Sequence, residues 1–504
     1  MVNVARSQDH VETIDLNKFR IQPEATRIIS AAMAIKHTII PLTVSDKTLK
    51  VAMSDIHNIV AIQELAAVSK MRIEPVHAEA GKIRASIERH YNAYQEIERQ
   101  LSSMAPAEPK KQAEKDDLSD APVIRGLDLI IREAVKVRAS DIHIEPQSNR
   151  LVVRYRIDGI LRETMSLPVN SHASLLSRLK VMASMDIANH QPQDGQITLK
   201  GAHENIDIRV ATINTIYGEM ACLRLLDKAF AARSLHELGF SPDNLLKYEQ
   251  MLKSPLGMIL VCGPTGSGKT TTLYASLNTL DKKSRKVITI EDPVEYRFED
   301  ITQVQVNQRG GINFAGALRS ITRHDPDVIM VGEIRDPDTA ALATQAALTG
   351  RLVLSSIHAN DSIGTIFRML DLGVEPFLIS ATLVCIVSQR MVRRLCPNCA
   401  RLIPASPEAE LAYQRETGDS TILFRYGEGC DSCAGTGYLG RIAISEVLPL
   451  NQEFRAALLK NASADELRQI ARRAGMASMW HDGMLKVKAG ITTPSEVLRT
   501  IYTG

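Results

Sequence analysis

The segment "GMILVCGPTGSGKTTTLYASL", residues 257–277, constrains the fold more than any other part of the chain. A short apolar run enters a glycine-rich turn, and the turn leads into a helix-compatible run. Gly263, Pro264, Thr265, Gly266, Ser267, Gly268, Lys269 and Thr270 spell G-x-x-x-x-G-K-[ST] between a predicted strand and a predicted helix, the context that pattern needs. Backbone N–H groups of such a loop wrap a β-phosphate, and the helix amino terminus adds a favourable dipole. Lys269 is expected to reach the β- and γ-phosphates. The Thr270 hydroxyl, followed by Thr271, is expected to ligate Mg²⁺. ATP is the expected nucleotide, because no N/T-K-x-D base-reading pattern of a GTPase accompanies the loop.

The runs that follow, "KVITI", "DVIMVG" and "RLVLSSI", are short, apolar and β-rich, with helix-sized segments between them. That alternation predicts a parallel sheet covered on both faces. A chain of 504 residues exceeds one core, so several domains are expected. Residues 1–100 read as a small α+β unit: "RIISAAMAIKHT" and "AIQELAAVSK" have helical spacing, "TIIPLTVSDKTLKVAMSD" is two strands around a polar turn, and "MRIEPVHA" is a short strand. "KIRASIERHYNAYQEIERQL" reads as a continuing helix. Residues 101–120 carry Pro, Ala and mixed charge with almost no bulky apolar side chain, the composition of a linker. Residues 121–236 read as a second α+β domain: an amphipathic helix, a hairpin around Asp158-Gly159, and a strand pair, "GQITLK" and "NIDIRVATIN". In that pair Ile206, Ile208 and Val210 alternate with Asp207 and Arg209. Residues 237–390 hold the nucleotide-binding core, 391–440 a cysteine-rich element, and 441–504 a helical region.

Net charge and aromatic content exclude little but favour little: a formal charge of +2 and 4% aromatic residues give no sign of a nucleic-acid channel. No apolar run approaches the ~20 residues of a membrane span. The longest, "FLISATLVCIVSQR" from Phe377, reads as a buried helix. The first residues lack the apolar core of a secretory signal, so a cytoplasmic protein is expected, held at a membrane only through partners.

Four further elements carry chemistry. "TIEDPVEY" follows a predicted strand, and strand ends in such a sheet face the nucleotide. Glu291, Asp292 or Glu295 could there orient or deprotonate an attacking water, although a solvated acidic loop fits these residues equally well. "DVIMVGEIRD" ends its apolar run in Gly332-Glu333, the place of a second metal holder. "VLSSIHAND" ends the next run at His358, a residue that on its own is more often structural. Finally, "CPNC" and "CDSC" place Cys396, Cys399, Cys430 and Cys433 as two biting pairs that together complete a Cys₄ zinc shell, structural because it leaves no open position. Cys222, Cys262 and Cys385 read as core thiols.

Together these elements resemble the secretion ATPases that drive type II secretion and type IV pilus assembly. The resemblance spans roughly residues 120–500: "ASDIHIEP" and "RYRIDG" look like the family's second N-terminal domain, of PAS-like α+β type, and "GPTGSGKTTTLYA" is its P-loop. "IEDPVEY" looks like its Asp box, "LRSITRHDPDVIMVGEIRD" its Walker B region and "SSIHANDS" its His box. The tetracysteine element resembles the assembly and secretion branch. The resemblance implies a RecA-like core, with Glu295 as general base, Glu333 as organiser of Mg²⁺ and water, and His358 as γ-phosphate sensor. It further implies Arg209, Arg224, Arg319 and Arg323 near the γ-phosphate. It also implies a homohexamer, an inner-membrane platform protein and an inner-membrane docking protein with a cytoplasmic domain, and no nucleic acid. Two departures stand out: Arg351 occupies a place where some relatives carry a second His, and residues 13–92 resemble the family's first N-terminal domain only loosely. They lack the Arg-Leu-Gly motif with which some such domains bind a cyclic dinucleotide, so a docking module without that ligand is expected. The competing readings are a conjugation-type or DNA-handling ATPase, and a regulator that binds ATP without turnover.

Overall fold

The computed structural model describes residues 14–16, 19, 21–29, 31–45, 47–87, 91, 121–199, 206–226, 233–307, 310–420 and 423–502. The expected linker at 101–120, and most of the helix expected to precede it, lie outside the described residues. The chain divides into two compact units.

The first unit contains two sheets. Helices α1 (Pro23–Ile28), α2 (Ala31–His37), α3 (Ile59–Ser69) and α4 (Ala80–Ile87) surround strands β1 (Ile39–Ser45), β2 (Thr48–Met53) and β3 (Arg72–His77). β1 and β2 pair antiparallel, and β2 and β3 parallel. Next come α5 (Ala121–Lys136), β4 (Ala139–Pro146), β5 (Arg150–Ile157), β6 (Ile160–Pro168), α6 (His172–Met182), β7 (Gln193–Leu199), β8 (Ile206–Thr215) and β9 (Gly218–Leu226). The six strands lie in the order β6-β5-β4-β9-β8-β7, antiparallel throughout. Asp158 and Gly159 both take positive φ, 49° and 86°, as a two-residue hairpin matching strand twist requires. Ile208 and Val210 are buried under α5 and α6 with Leu127, Ile130, Leu175 and Leu179, so the alternating Arg209 faces away from this core. The Tyr155 hydroxyl donates to the Ile130 carbonyl at 2.7 Å and ties α5 to the sheet.

The second unit carries the predicted parallel sheet. Its elements are α7 (Pro242–Leu252), β10 (Gly257–Cys262), α8 (Lys269–Thr279), β11 (Val287–Glu291), β12 (Thr302–Gln305), α9 (Phe314–Ile321), β13 (Val328–Ile334), α10 (Pro337–Leu348), β14 (Leu352–Ile357), α11 (Ser362–Asp371), α12 (Pro376–Thr382) and β15 (Leu383–Leu395). β16 (Ala400–Pro404), α13 (Pro407–Thr417), β17 (Leu423–Gly427), β18 (Tyr438–Pro449), α14 (Gln452–Leu459), α15 (Ala464–Arg473), α16 (Met479–Lys488) and α17 (Pro494–Tyr502) follow. The strand order is β12-β11-β13-β14-β10-β15-β18, parallel from β12 to β15, with β18 added antiparallel at one edge. β10 sits centrally, parallel to β14 and β15, and is buried at every position. Met258, Leu260 and Cys262 enter one apolar cluster and Ile259 and Val261 the other, so helices cover both faces.

Three expectations give way here. The run from Phe377 is not one buried helix: it stops after Thr382, and the β-branched stretch Val384–Val387 continues as β15 beside β10. A short apolar run is ambiguous between helix and strand, and the available hydrogen-bonding edge of β10 decides it. The core also does not end at residue 390, since β18 supplies an edge strand from beyond the cysteine pairs. The 391–440 element is split as well: residues 401–426 group with the second unit, where Tyr413 and Phe424 pack with Met484, Val487 and Val497, while Cys396–Ala400 and Gly427–Leu439 group with the first.

Candidate functional site

The P-loop bridges the end of β10 and the start of α8. Gly263 and Gly268 have φ of 146° and 88°, and a Cβ on Gly263 would lie 2.3 Å from the Gln389 carbonyl oxygen, so the loop demands glycine at both places. Pro264, Thr265 and Gly266 are exposed, as is Thr270 at the first turn of α8. Lys269 Nζ donates to the carbonyls of Gly263 at 2.7 Å and Pro264 at 3.1 Å, which folds the ammonium over the loop. Burial lowers the Lys269 pKa, opposed by the nearby Glu333 carboxylate. Ser267 Oγ is buried with no hydrogen-bond partner. An amine and a turn of backbone amides at a helix start suit a phosphate chain, so the residues present fit a nucleotide.

Glu333 owes its place to a bulge. Val331 pairs with Ser355 and Ile334 with Ile357, so β13 carries one more residue than β14 between the two pairs. Ser356 Oγ donates to the Gly332 carbonyl at 2.7 Å, and the bulge re-aims the next side chain. Glu333 Oε2 then lies 3.6 Å from His358 Nε2, and Oε1 2.5 Å from an Arg335 guanidinium nitrogen. Burial and then the Lys269 ammonium depress the His358 pKa, with Glu333 opposing. Lys269, Glu333 and His358, distant in sequence, therefore share one field at the carboxyl edge of the sheet.

Of the three acidic candidates at and after the end of β11, Glu291 is spoken for. It is 4% exposed and accepts from Tyr274 Oη, from Thr289 Oγ1 at 2.5 Å and from Gln303 Nε2 at 3.0 Å. Its carboxylate is a strand anchor. Glu295 is exposed, and its backbone N–H donates to the same Tyr274 hydroxyl at 3.2 Å. Tyr274 thus joins the first helix after the P-loop to the loop carrying Glu295; its role left no mark in the sequence beyond helical spacing.

Arg319 and Arg323 fall elsewhere. Phe314, opening α9, touches the Gly332 position, but the helix runs away from it. His324 and Lys286 line one cavity of about 500 Å³, and Lys286 immediately precedes β11. Arg351, just before β14, donates to the Thr322 carbonyl at 3.3 Å and to Thr349 Oγ1 at 2.7 Å. Arg323 therefore lies at the amino edge of the sheet. The six residues of β14 put roughly 17 Å between that edge and the carboxyl edge. Arg319 and Arg323 are exposed and are not gathered with Lys269, Glu333 and His358 of their own chain. Arg351 is a loop brace at the same edge.

Arg209 and Arg224 belong to the first unit, where they stand directly opposite one another on β8 and β9. Arg224 in turn faces Asp141 of β4, with Nε to Oδ1 3.1 Å, and Arg156 Nε lies 3.6 Å from the other oxygen. A charged row, Arg156-Asp141-Arg224-Arg209, crosses four strands on the face turned from the core. Asp141 sits in the "ASDIHIEP" motif but was not among the candidates; only register reveals it. Cys222 is half-buried on this same face rather than in the core, while Cys262 and Cys385 are fully buried and their thiols pushed up in pKa.

The four cysteines of the two pairs are buried, with their sulfurs all within 4.8 Å of one another. Cys396–Cys430, Cys399–Cys433 and Cys430–Cys433 are 3.8, 3.9 and 3.8 Å apart. Those are free thiols at tetrahedral spacing: four sulfurs ~2.3 Å from one centre stand about 3.8 Å apart. Burial acts to raise the Cys433 pKa, but N–H donation from Cys430 and Gly437, both at 3.2 Å, prevails and brings it to about 7. The set fits Zn²⁺.

A sheet with a P-loop after an interior strand, an acidic residue bulged from another strand of the same sheet and a histidine after the strand between them define a P-loop ATPase with a RecA-like core. A family model for the type II/IV secretion system protein matches residues 116–499, and the chain belongs to that family. A second model, the MshEN domain, matches residues 10–96. The chain is 41% identical over 500 residues to the type IV pilus assembly ATPase PilB of Myxococcus xanthus, covering 97% of this chain and 88% of that protein. It is 47% identical over 390 residues to type II secretion system protein E of Xanthomonas campestris, covering 77% and 69%. The ATPase DotB of Legionella pneumophila has the same fold, with a TM-score of 0.57 at 21% identity over 78% of this chain and 97% of that one. The enzyme is an ATP hydrolase. Among the described residues no helix is long and apolar enough to cross a membrane.

Proposed function

We propose that this ATPase is a motor, a homohexamer at the cytoplasmic face of the inner membrane that powers assembly of a type IV pilus or type II secretion pseudopilus. It would do so by pushing on an inner-membrane platform protein, with residues 1–100 docking on the cytoplasmic domain of a second membrane protein. The observation supporting turnover rather than mere binding is the meeting of Lys269, Glu333 and His358. A regulator that only binds ATP has no need of a bulged acid and a histidine beside the phosphate-binding lysine.

In this reading Lys269 neutralises the β- and γ-phosphates and the loop N–H groups hold them in line. Mg²⁺, held through Thr270 with Glu333 as its water organiser, supplies charge neutralisation when bound. Glu295, on the exposed loop that Tyr274 ties to α8, takes the proton of the attacking water. His358, kept neutral near pH 7 by its surroundings, reports the γ-phosphate. Arg209 and Arg224 stabilise charge that develops in the transition state. Arg323, at the amino edge, can serve a nucleotide only across a subunit boundary, which is one reason a ring is required, and Arg319, exposed on α9, is assigned to the same boundary. Zn²⁺ on Cys396, Cys399, Cys430 and Cys433 is structural.

The test is phosphate release by the purified chain, with and without single-stranded DNA, against oligomer size. Activity confined to a ring and indifferent to DNA is expected. Lys269→Ala should abolish it, and Glu333→Gln should retain nucleotide but stop turnover. DNA-stimulated activity, or wild-type turnover in either variant, would refute the reading.

A further inference from the structure

The buried amide of Gln389 is not among the residues that the P-loop pattern or the acidic elements single out. It follows Ser388, the register partner of Cys262, so β15 brings it alongside the P-loop as the chain leaves β10. The side chain is 1% exposed. Its Nε2 donates to the Ser267 carbonyl at 2.7 Å, and its Oε1 accepts from Thr272 Oγ1 at 2.8 Å. Ser267 and Thr272 are each 2% exposed, so neither hydrogen bond competes with bulk water. The Gln389 main chain also abuts Gly263, and its amide abuts Gly268. One residue thus touches the P-loop at its entry, at its last turn and, through Thr272, at the first turn of α8.

Each contact has a directional consequence. A trans peptide holds C=O and N–H in opposite directions, so turning the Ser267 carbonyl toward β15 turns the Gly268 N–H away from it. Holding Thr272 fixes the rotation of α8 about its axis, and α8 carries Lys269 and Thr270 on that same first turn. The arrangement needs a donor and an acceptor on one flat group, which among side chains of this length only glutamine provides. A carboxylate would set an acceptor oxygen against the Ser267 carbonyl, and a thioether would leave that carbonyl and the Thr272 hydroxyl without these partners in a dry site.

We propose that Gln389 is a positioning residue for ATP binding, which sets the phosphate-binding geometry of the P-loop from the neighbouring strand without touching the nucleotide. This rests on the P-loop's binding ATP but not on the motor reading, because the test measures nucleotide binding apart from turnover.

The experiment compares full-length wild type, Gln389→Met, Gln389→Glu, Thr272→Val and Thr272→Ser. Binding of Mg-ADP and Mg-ATP is measured by titration calorimetry, turnover by phosphate release, and folded fraction by thermal unfolding without nucleotide. Gln389→Met and Gln389→Glu should each weaken nucleotide binding at least tenfold, with KM rising more than kcat falls. Thr272→Val should weaken it three- to tenfold, and Thr272→Ser, which keeps the hydroxyl, should recover most of that loss. Unchanged affinity in a folded Gln389→Met protein, or affinity losses that vanish once corrected for folded fraction, would overturn the proposal. If both Gln389 variants fail to fold, Thr272→Val decides at the other end of the same hydrogen bond: full affinity there refutes the positioning role.

Discussion

Removing one oxygen from Tyr274 should separate the stability of the ATPase core from its turnover. In Tyr274→Phe the ring keeps its edge-on contact with Phe298, at 5.2 Å between centroids and 83° between planes, so little packing is lost. The hydroxyl donates to the buried Glu291 carboxylate and accepts from the Glu295 N–H. Burial and then the Glu291 charge raise the Tyr274 pKa, so the phenol remains a donor at all working pH values. Glu291 keeps Thr289 and Gln303 as donors, so the loss is one hydrogen bond to a charged group, about 1.5–3 kcal/mol. For a unit of this size that lowers the melting temperature of the core transition by roughly 3–10 °C. The second loss frees the Glu295 loop. One neutral hydrogen bond of about 1 kcal/mol is roughly a fivefold change in the population of the held conformation, so kcat should fall about fivefold while nucleotide affinity changes little. Differential scanning calorimetry and steady-state phosphate release give the two numbers. A Tyr274→Phe protein that melts several degrees lower yet keeps full kcat would refute the link from Tyr274 to the Glu295 loop, and an unchanged melting temperature would refute the anchoring of Glu291.

Cys396→Ser with Cys430→Ser should remove about one Zn²⁺ per chain by metal analysis and destabilise the cysteine element, since structural zinc contributes on the order of 10–16 kcal/mol in finger-type peptides. His358 has a folded pKa below its ordinary 6.5. It therefore contributes stability that is complete above that value and is lost as pH falls through the folded pKa, so His358→Asn should flatten the decline in melting temperature measured below pH 6.5. Arg224→Ala should spare ATP binding and cut turnover sharply, with poor rescue by lysine, which lacks the planar fork; phosphate release and nucleotide titration read the two effects. Asp141→Asn, which weakens the hold on Arg224 across 3.1 Å, should alter turnover in the same assays without changing nucleotide affinity.

Much of this protein could be read from local sequence because local physics decides it. The P-loop is legible since glycine alone tolerates φ of 146° at Gly263 and the motif is contiguous. The 158–159 hairpin is legible from its turn chemistry, and the cysteine pairs from their spacing. The same holds for the burial alternation of β8, which the pattern Ile206–Val210 already displays. Tertiary structure decided what depends on a partner far along the chain. Phe377–Arg390 could have been helix or strand until β10 offered a row of hydrogen-bonding groups beside it. Glu291 and Glu295 are chemically alike and four residues apart, yet one is sealed under Tyr274 and the other exposed, because β11 ends at Glu291 and a helix from elsewhere supplies the hydroxyl that binds its carboxylate. Arg323 lies in the Walker B segment, but α9 carries it to the opposite edge of the sheet from Glu333. Asp141 meets Arg224 only through strand register, and Gln389 meets the P-loop only through β15. Sequence specifies which groups a segment can offer; direction and distance come from the fold, because a hydrogen bond or ion pair exists only where two remote backbones bring their side chains within about 3 Å.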